Sequence, residues 1–376
     1  MKLWAKITLS VVILLLLLGG LIYWLGVELS ADISDEHRQQ LAMSKQYKDG
    51  AFFNHERQAP YEFSWNYLQE QFFGKQERVP NGDLPVVPLD PEKLSAPPEP
   101  GLRATWLGHA TVLLELDGQR ILTDPMLSER ASPFQFIGPE RFHPSPIALK
   151  DLHGIDAVVI SHDHYDHLDE ATIRHLAPQG TDFYVPLGVG SHLLKWEVPA
   201  EQIFELDWWD EETRGDLSLV ATPSRHYSGR GLADYKGTLW ASWALIGPRH
   251  RVFFSGDSGY GSLFRDIGSG VGPFDLTLIK IGSYGPGQSW IDIHMSAEDA
   301  LLTHRDLQGQ RMLPIHWGTF NLGIHAWDEP IRRATAAALE KQVEMLTPKL
   351  GEEVDINRPY TNSPWWESVG PAKSTP

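Results

Sequence analysis

There is no cysteine in this 376-residue chain. Disulfides, a thiol nucleophile, Cys-ligated zinc and a lipid-modified N-terminal Cys are therefore excluded. The lack also suits an oxidising compartment, where a stray thiol is a liability. Basic residues are scarce: 32 Lys and Arg against 49 Asp and Glu give a formal net charge of −17. Phosphate backbones are held by clustered Lys and Arg, so nucleic acid is not an expected partner. No segment recurs at solenoid periods. Carboxylates and imidazoles are what remain for metal or acid–base chemistry, and there are 16 His.

Charge is missing altogether from Ile7 to Val27. As a helix this stretch is about 31 Å long, close to the thickness of a bilayer's hydrocarbon. Val11 to Leu18 is all Leu, Ile and Val with no polar face, which argues against a core helix. No small-x-small cleavage site precedes Glu28, and Ser30-Ala31 is a poor one, so residues 1–30 read as an uncleaved anchor rather than a signal peptide. Lys2 and Lys6 lie directly before the span, although Arg38, Lys45 and Lys48 follow it. Basic residues ahead of a first span most often leave the remainder outside the cytoplasm. The expectation is a single-pass inner-membrane protein with the remainder of the chain on the outside.

Residues 31–100 form an N-terminal extension and connector. Tyr61 to Phe73 has apolar spacings that predict an amphipathic helix, and Pro80 to Pro100 is rich enough in proline to read as an extended linker. From residue 101 apolar, β-rich segments recur, including Thr111–Leu116, Asp156–Ile160, Leu217–Thr222, Arg251–Ser255 and Leu276–Ile281. Helical patterns separate the later ones, at about 168–176, 188–195, 296–307 and 328–346. A layered α/β domain over 101–350, followed by a tail at 351–376, is the expected organisation.

The densest chemistry is Ser161-His-Asp-His-Tyr-Asp-His167, directly after the apolar run Asp156–Ile160. Three imidazoles in six residues at a strand end are hard to explain as packing. In a tight turn His162 and His164 converge on one metal, while Asp166 and His167 face a second; zinc accepts such nitrogen and oxygen donors. Further donors must come from other strand ends. His226 follows Leu217–Thr222, Asp257 sits in Ser255-Gly-Asp257-Ser-Gly, and His316 follows Met312–Ile315. Each is weak alone; together they make a set of seven.

This pattern resembles the metallo-β-lactamase superfamily, whose αβ/βα sandwich is the fold it implies, here with an N-terminal transmembrane helix. More narrowly, residues 101–330 resemble the N-acylphosphatidylethanolamine-hydrolysing phospholipase D family. The resemblance is carried by Thr105-Trp-Leu-Gly-His-Ala-Thr111, Leu122-Thr-Asp-Pro125, Arg130-Ala-Ser-Pro133, Glu205-Leu-Asp-Trp-Trp209 and Ile315-His-Trp-Gly-Thr-Phe320. It implies two zinc ions, one on His162, His164 and His226 and one on Asp166, His167 and His316, with Asp257 bridging. It further implies Asp124 and His109 as supports behind the ligands, and His294 and Tyr284 as substrate contacts. Asp257, Asp166 and His294 would then carry the catalysis. Two positions depart from the family's pattern: Lys280 replaces a proline and Gly285 replaces a glutamate. The expected partners are a membrane phospholipid as substrate, the bilayer through the N-terminal helix, and a second copy of the chain in a homodimer. A lactonase or sugar-phosphate hydrolase is the alternative activity, and a membrane-attached, non-catalytic metal-binding protein a further one.

Overall fold

The computed structural model describes residues 2–60 and 65–370. Two seven-stranded sheets lie face to face. The first runs, edge to edge, Glu353–Asp355, Leu102–Gly108, Thr111–Leu116, Gln119–Thr123, Ala157–Val159, Asp182–Pro186 and Ile203–Leu206. The second runs Glu344–Met345, Gly309–Ile315, Phe274–Lys280, Arg251–Phe254, Ser242–Ile246, Leu217–Thr222 and Glu211–Arg214. Each sheet is antiparallel in one half and parallel in the other; tight hairpins join several of the antiparallel neighbours, and helices or long loops carry the chain between parallel ones.

Side chains of the first sheet alternate between two cores, as the two-residue period of a strand requires. Val112, Leu114, Ile121, Val159 and Tyr184 enter the large core shared with the second sheet. Leu113, Leu122, Val158, Phe183 and Val185 enter another, closed by Ile173 and Leu176 of helix Glu170–Leu176 and by Leu193 of helix Gly190–Lys195. Strands apolar on both faces are those of a sheet covered on both sides. Helices Leu263–Val271, Ala297–Asp306 and Glu329–Lys341 cover the second sheet in the same way, giving helix, sheet, sheet, helix. This is the αβ/βα sandwich expected from the resemblance.

Several elements differ from the sequence reading. The supposed tail supplies the edge strand Glu353–Asp355 and two buried indoles, Trp365 and Trp366. Only Val354 of that strand is apolar, too little for a strand pattern. Trp365 continues a stack in which Trp106 and Trp365 each lie 5.2 Å from Trp317. The connector is less extended than its prolines suggest, since it contains helix Pro91–Ser95 and buries Leu84, Leu89 and Leu94. Helix Trp65–Phe73 forms within the stretch expected to be helical, whose Tyr61 and Phe63 lie outside the described residues. The N-terminal helix Lys2–Glu28 is long and apolar enough to cross a membrane.

Candidate metal centre

The loops that leave the C-terminal ends of several strands deliver seven donors to one place. From the loop after Ala157–Val159, His162 brings Nε2 to 2.8 Å from Nδ1 of His164, and Nε2 of His226 lies 3.3 Å from that same atom. Beside this triad, Nε2 of His167 and Nε2 of His316 are 3.2 Å apart, and Asp166 Oδ2 lies 3.3 and 3.5 Å from them. The carboxylate of Asp257 reaches both groups. It is 3.1 Å from His316, 3.5 Å from His167 and 3.8 Å from His226.

Hydrogen bonds behind the rings fix which nitrogen faces inward. Asp124 accepts from the Ser161 amide at 2.6 Å and from Nδ1 of His167 at 2.6 Å, and it takes the Ser161 hydroxyl proton. With that proton committed, Ser161 Oγ accepts from Nδ1 of His162 at 2.9 Å. Nδ1 of His226 donates to the Ile293 carbonyl at 3.1 Å. Three rings therefore aim Nε2 toward the centre, the nitrogen through which each would bind a metal. His109 donates Nε2–H to Asp166 at 2.8 Å and accepts the His316 amide on its carbonyl. Asp124, His109 and His316 all take left-handed backbone conformations (φ +32°, +52° and +65°), a cost tolerated where the surroundings dictate it.

The donor chemistry fits divalent ions. Nitrogens bonded to one tetrahedral ion at about 2.0–2.1 Å stand roughly 3.3 Å from each other, close to the spacings here. His164 Nδ1 faces two ring nitrogens at once, and one proton cannot satisfy both contacts. Buried Asp257 Oδ1 and His316 Nδ1 have no hydrogen-bond partner of good geometry. Burial pushes His162 and His226 well below the ordinary imidazole range, which keeps them neutral. Burial would push Asp166 and Asp257 up, yet His167 beside the first and His316 beside the second hold them well below the carboxylate range. Against burial, Asp166, Asp257 and Asp124 raise His167, so in the metal-free protein this ring holds the proton that an ion would displace.

Of the other residues singled out in the sequence, His294 joins the cluster, with Nδ1 3.5 Å from Asp257. Tyr284 does not. Its hydroxyl donates to Glu329 at 2.9 Å, its ring packs at a tilt against His325, and it walls a recess of about 300 Å³ that none of the seven donors lines. Glycine at 285 has a steric reason: an added Cβ would stand 2.6 Å from the Trp290 indole. Two members were missed. Lys280, fully buried, donates to Nδ1 of His294 and lies 3.6 Å from Asp257. Arg230 bonds the carbonyls of Asp163 and Leu168 at 2.8 and 2.7 Å and covers Tyr165 at 4.0 Å, clamping both ends of the His162–His167 loop. Burial lowers the Lys280 ammonium to about 8. Its only sequence signal was the departure from proline; Arg230 had none beyond its glycine neighbours.

Residues 119–317 match the β-lactamase superfamily domain. A Caenorhabditis elegans protein named N-acyl-phosphatidylethanolamine-hydrolyzing phospholipase D 1 is 37% identical over 66% of this chain and 72% of its own length. This chain belongs to that family, within the metallo-β-lactamase superfamily. An uncharacterised protein of Mycobacterium tuberculosis is similar too, at 50% identity over 70% of this chain and 72% of its own length. Among solved structures, a metallo-hydrolase of Ignicoccus hospitalis shares the fold, with a TM-score of 0.52 and 22% identity over 67% of this chain and 97% of that one. The family member described here is a metal-dependent hydrolase.

Proposed function

We propose that this chain is a dinuclear zinc phosphodiesterase of phospholipase D type, anchored in the inner membrane by its N-terminal helix with the domain outside the cytoplasm. Its substrate would be N-acylphosphatidylethanolamine or a related phospholipid, split into phosphatidic acid and an N-acylethanolamine. The observation that carries the reading is Asp257, one carboxylate within 3.1–3.8 Å of ring nitrogens from both donor groups. Relatives named for this reaction support the substrate class.

His162, His164 and His226 would hold one ion, Asp166, His167 and His316 the other, and Asp257 would span them. A bound pair of zinc ions supplies a nucleophilic oxygen from water near neutral pH and draws charge from phosphoryl oxygens. The protein's own groups place the substrate and the proton. An ammonium has no acceptor, so Lys280 can only donate to Nδ1 of His294, which leaves that ring's proton on Nε2. His294 is then a donor for a phosphoryl oxygen or for the departing alcohol. With 14% of its side chain exposed, like Asp166 at 16%, it lies with half-buried His164 on the accessible side of the cluster. In the overall reaction the oxygen of water forms a new bond to phosphorus, the bond from phosphorus to the N-acylethanolamine oxygen breaks, and that oxygen gains a proton.

The test is turnover of N-acyl phospholipids, plain phospholipids and lactones by zinc-loaded full-length protein, with products read by mass spectrometry and metal by elemental analysis. Two zinc ions per chain and release of N-acylethanolamine are expected. Cleavage of lactones without phosphodiesters would overturn the substrate class. One zinc, or iron in its place, would overturn the dinuclear zinc centre.

A further inference from the structure

The base of the N-terminal helix is built into the loop that follows His226. The Leu232 amide donates to the Gly26 carbonyl at 2.9 Å, the Ala233 amide to Ser30 Oγ at 3.1 Å, and the Ala31 amide to Asp234 at 3.0 Å. Lys195 pairs with Glu28 at 3.1 Å. The backbones meet at two glycines. A Cβ on Gly26 would lie 2.4 Å from the Leu232 side chain, and one on Gly231 would lie 2.2 Å from the Gly26 carbonyl oxygen. Two chains this close cannot slide past each other.

That contact sets a depth. A helix rises 1.5 Å per residue, so Gly26 stands about 3 Å to the apolar side of Glu28. Exposed Tyr23 and Trp24 occupy the preceding turn, where aromatic belts mark the edge of a bilayer. Exposed Trp4 is about 30 Å away along the axis, one hydrocarbon thickness. Leu232, bonded at the level of Gly26, shares that boundary with its side chain 63% exposed, and Tyr235 is 66% exposed. A second turn flanks the helix base: Ser132, Pro133 and Gln135 wall the same recess of about 590 Å³ as Glu28 and Leu29. Its neighbours Phe136 and Ile137 are 82% and 59% exposed. Clustered exposed apolar side chains of this kind mark an interaction surface rather than a water-facing one.

We propose that the loop 229–237 and the turn 134–137 enter the interfacial layer of the bilayer beside the helix. The recess between them, walled by Tyr165 and Arg230 next to the ligand loop, then opens at the lipid surface. The proposal rests on the membrane-anchor reading above, and the chain's lack of cysteine allows the two to be tested apart. Full-length single-cysteine variants Trp24→Cys, Phe136→Cys, Leu232→Cys and Leu339→Cys are spin-labelled and reconstituted in phosphatidylethanolamine–phosphatidylglycerol vesicles. Accessibility is read to oxygen, which concentrates in lipid, and to a water-soluble nickel chelate. Leu339 is exposed on helix Glu329–Lys341 and serves as the aqueous reference. Labels at 24, 136 and 232 are expected to show a several-fold higher ratio of oxygen to nickel accessibility than the label at 339. A lipid-like ratio at 24 with water-like ratios at 136 and 232 overturns the proposal and leaves the anchor standing. Shielding of 136 and 232 from both reagents, as in a protein interface, also overturns it. A water-like ratio at 24 removes the anchor and the proposal together.

Discussion

Asp124 touches no substrate in the proposed reaction, yet Asp124→Asn is expected to weaken metal binding sharply. The side chain is fully buried, and its two oxygens receive three donors: the Ser161 amide, the Ser161 hydroxyl and Nδ1–H of His167. An asparagine keeps the shape but offers one acceptor oxygen and one donor. If its oxygen stays on His167, its NH2 faces the Ser161 amide, donor against donor. If its NH2 faces His167, the ring must accept on Nδ1, and its proton moves to the Nε2 that faces the centre. Either way one charge-assisted hydrogen bond is lost, worth roughly 1.5–3 kcal/mol. At about 1.4 kcal/mol per tenfold, that is about 10- to 100-fold in affinity for the ion on His167, the range usual for such supporting groups. Competition with a chromophoric zinc chelator measures it. Ser161→Ala, which removes only the hydroxyl, should cost less. An Asp124→Asn affinity within about threefold of the parent would refute the claim that this carboxylate sets the ring's tautomer.

Lys280→Met removes the donor to Nδ1 of His294 but none of the seven ligands, so both metals should stay while kcat falls about 100-fold with little change in KM; His294→Ala added to it should cost little more, and full additivity of the two would separate their roles. His37, after the N-terminal helix, pairs with Glu205 at 2.6 Å, and that hydrogen bond raises its pKa although burial opposes it. Its stabilising contribution is complete below the unfolded value of about 6.5 and is lost as pH rises through the raised folded value. Amide exchange in helix Asp35–Leu41, corrected for intrinsic rates, should therefore accelerate above neutral pH in the parent and not in His37→Gln.

The seven candidate donors could be picked out because strand ends carry local marks. His162, His164, Asp166 and His167 lie within one turn, and His226, Asp257 and His316 each follow an apolar run. Long-range charge pairing left no such mark. Lys280 ends an apolar strand, and nothing in the sequence says that its ammonium turns inward to Asp257 rather than out to water. His109 was named as a support by resemblance alone, and it is the fold that brings its Nε2 to Asp166 from 57 residues away. Edge strands were missed for a related reason. Glu211–Arg214 is Glu-Glu-Thr-Arg, mostly exposed, and exists as a strand because Leu217–Thr222 offers it a partner. Tyr284 was placed by resemblance alone, and its hydroxyl is engaged elsewhere.

The stack of indoles under the second donor group bears on when the site can form. Trp317 follows His316 directly and lies between Trp106 and Trp365, while Trp106 also bonds the His109 carbonyl that receives the His316 amide. A ribosome delivers His162 and His164 before His316, and Trp365 and Trp366 some fifty residues after it. His162 and His164 can therefore be in place on the growing chain, whereas the packing around Trp317, next to His316, waits for Trp365 and Trp366. Donors become a high-affinity site only as the fold around them closes. The ion that is kept is then drawn from the pool of whichever compartment holds the finished domain, and affinity order alone does not decide which metal it is.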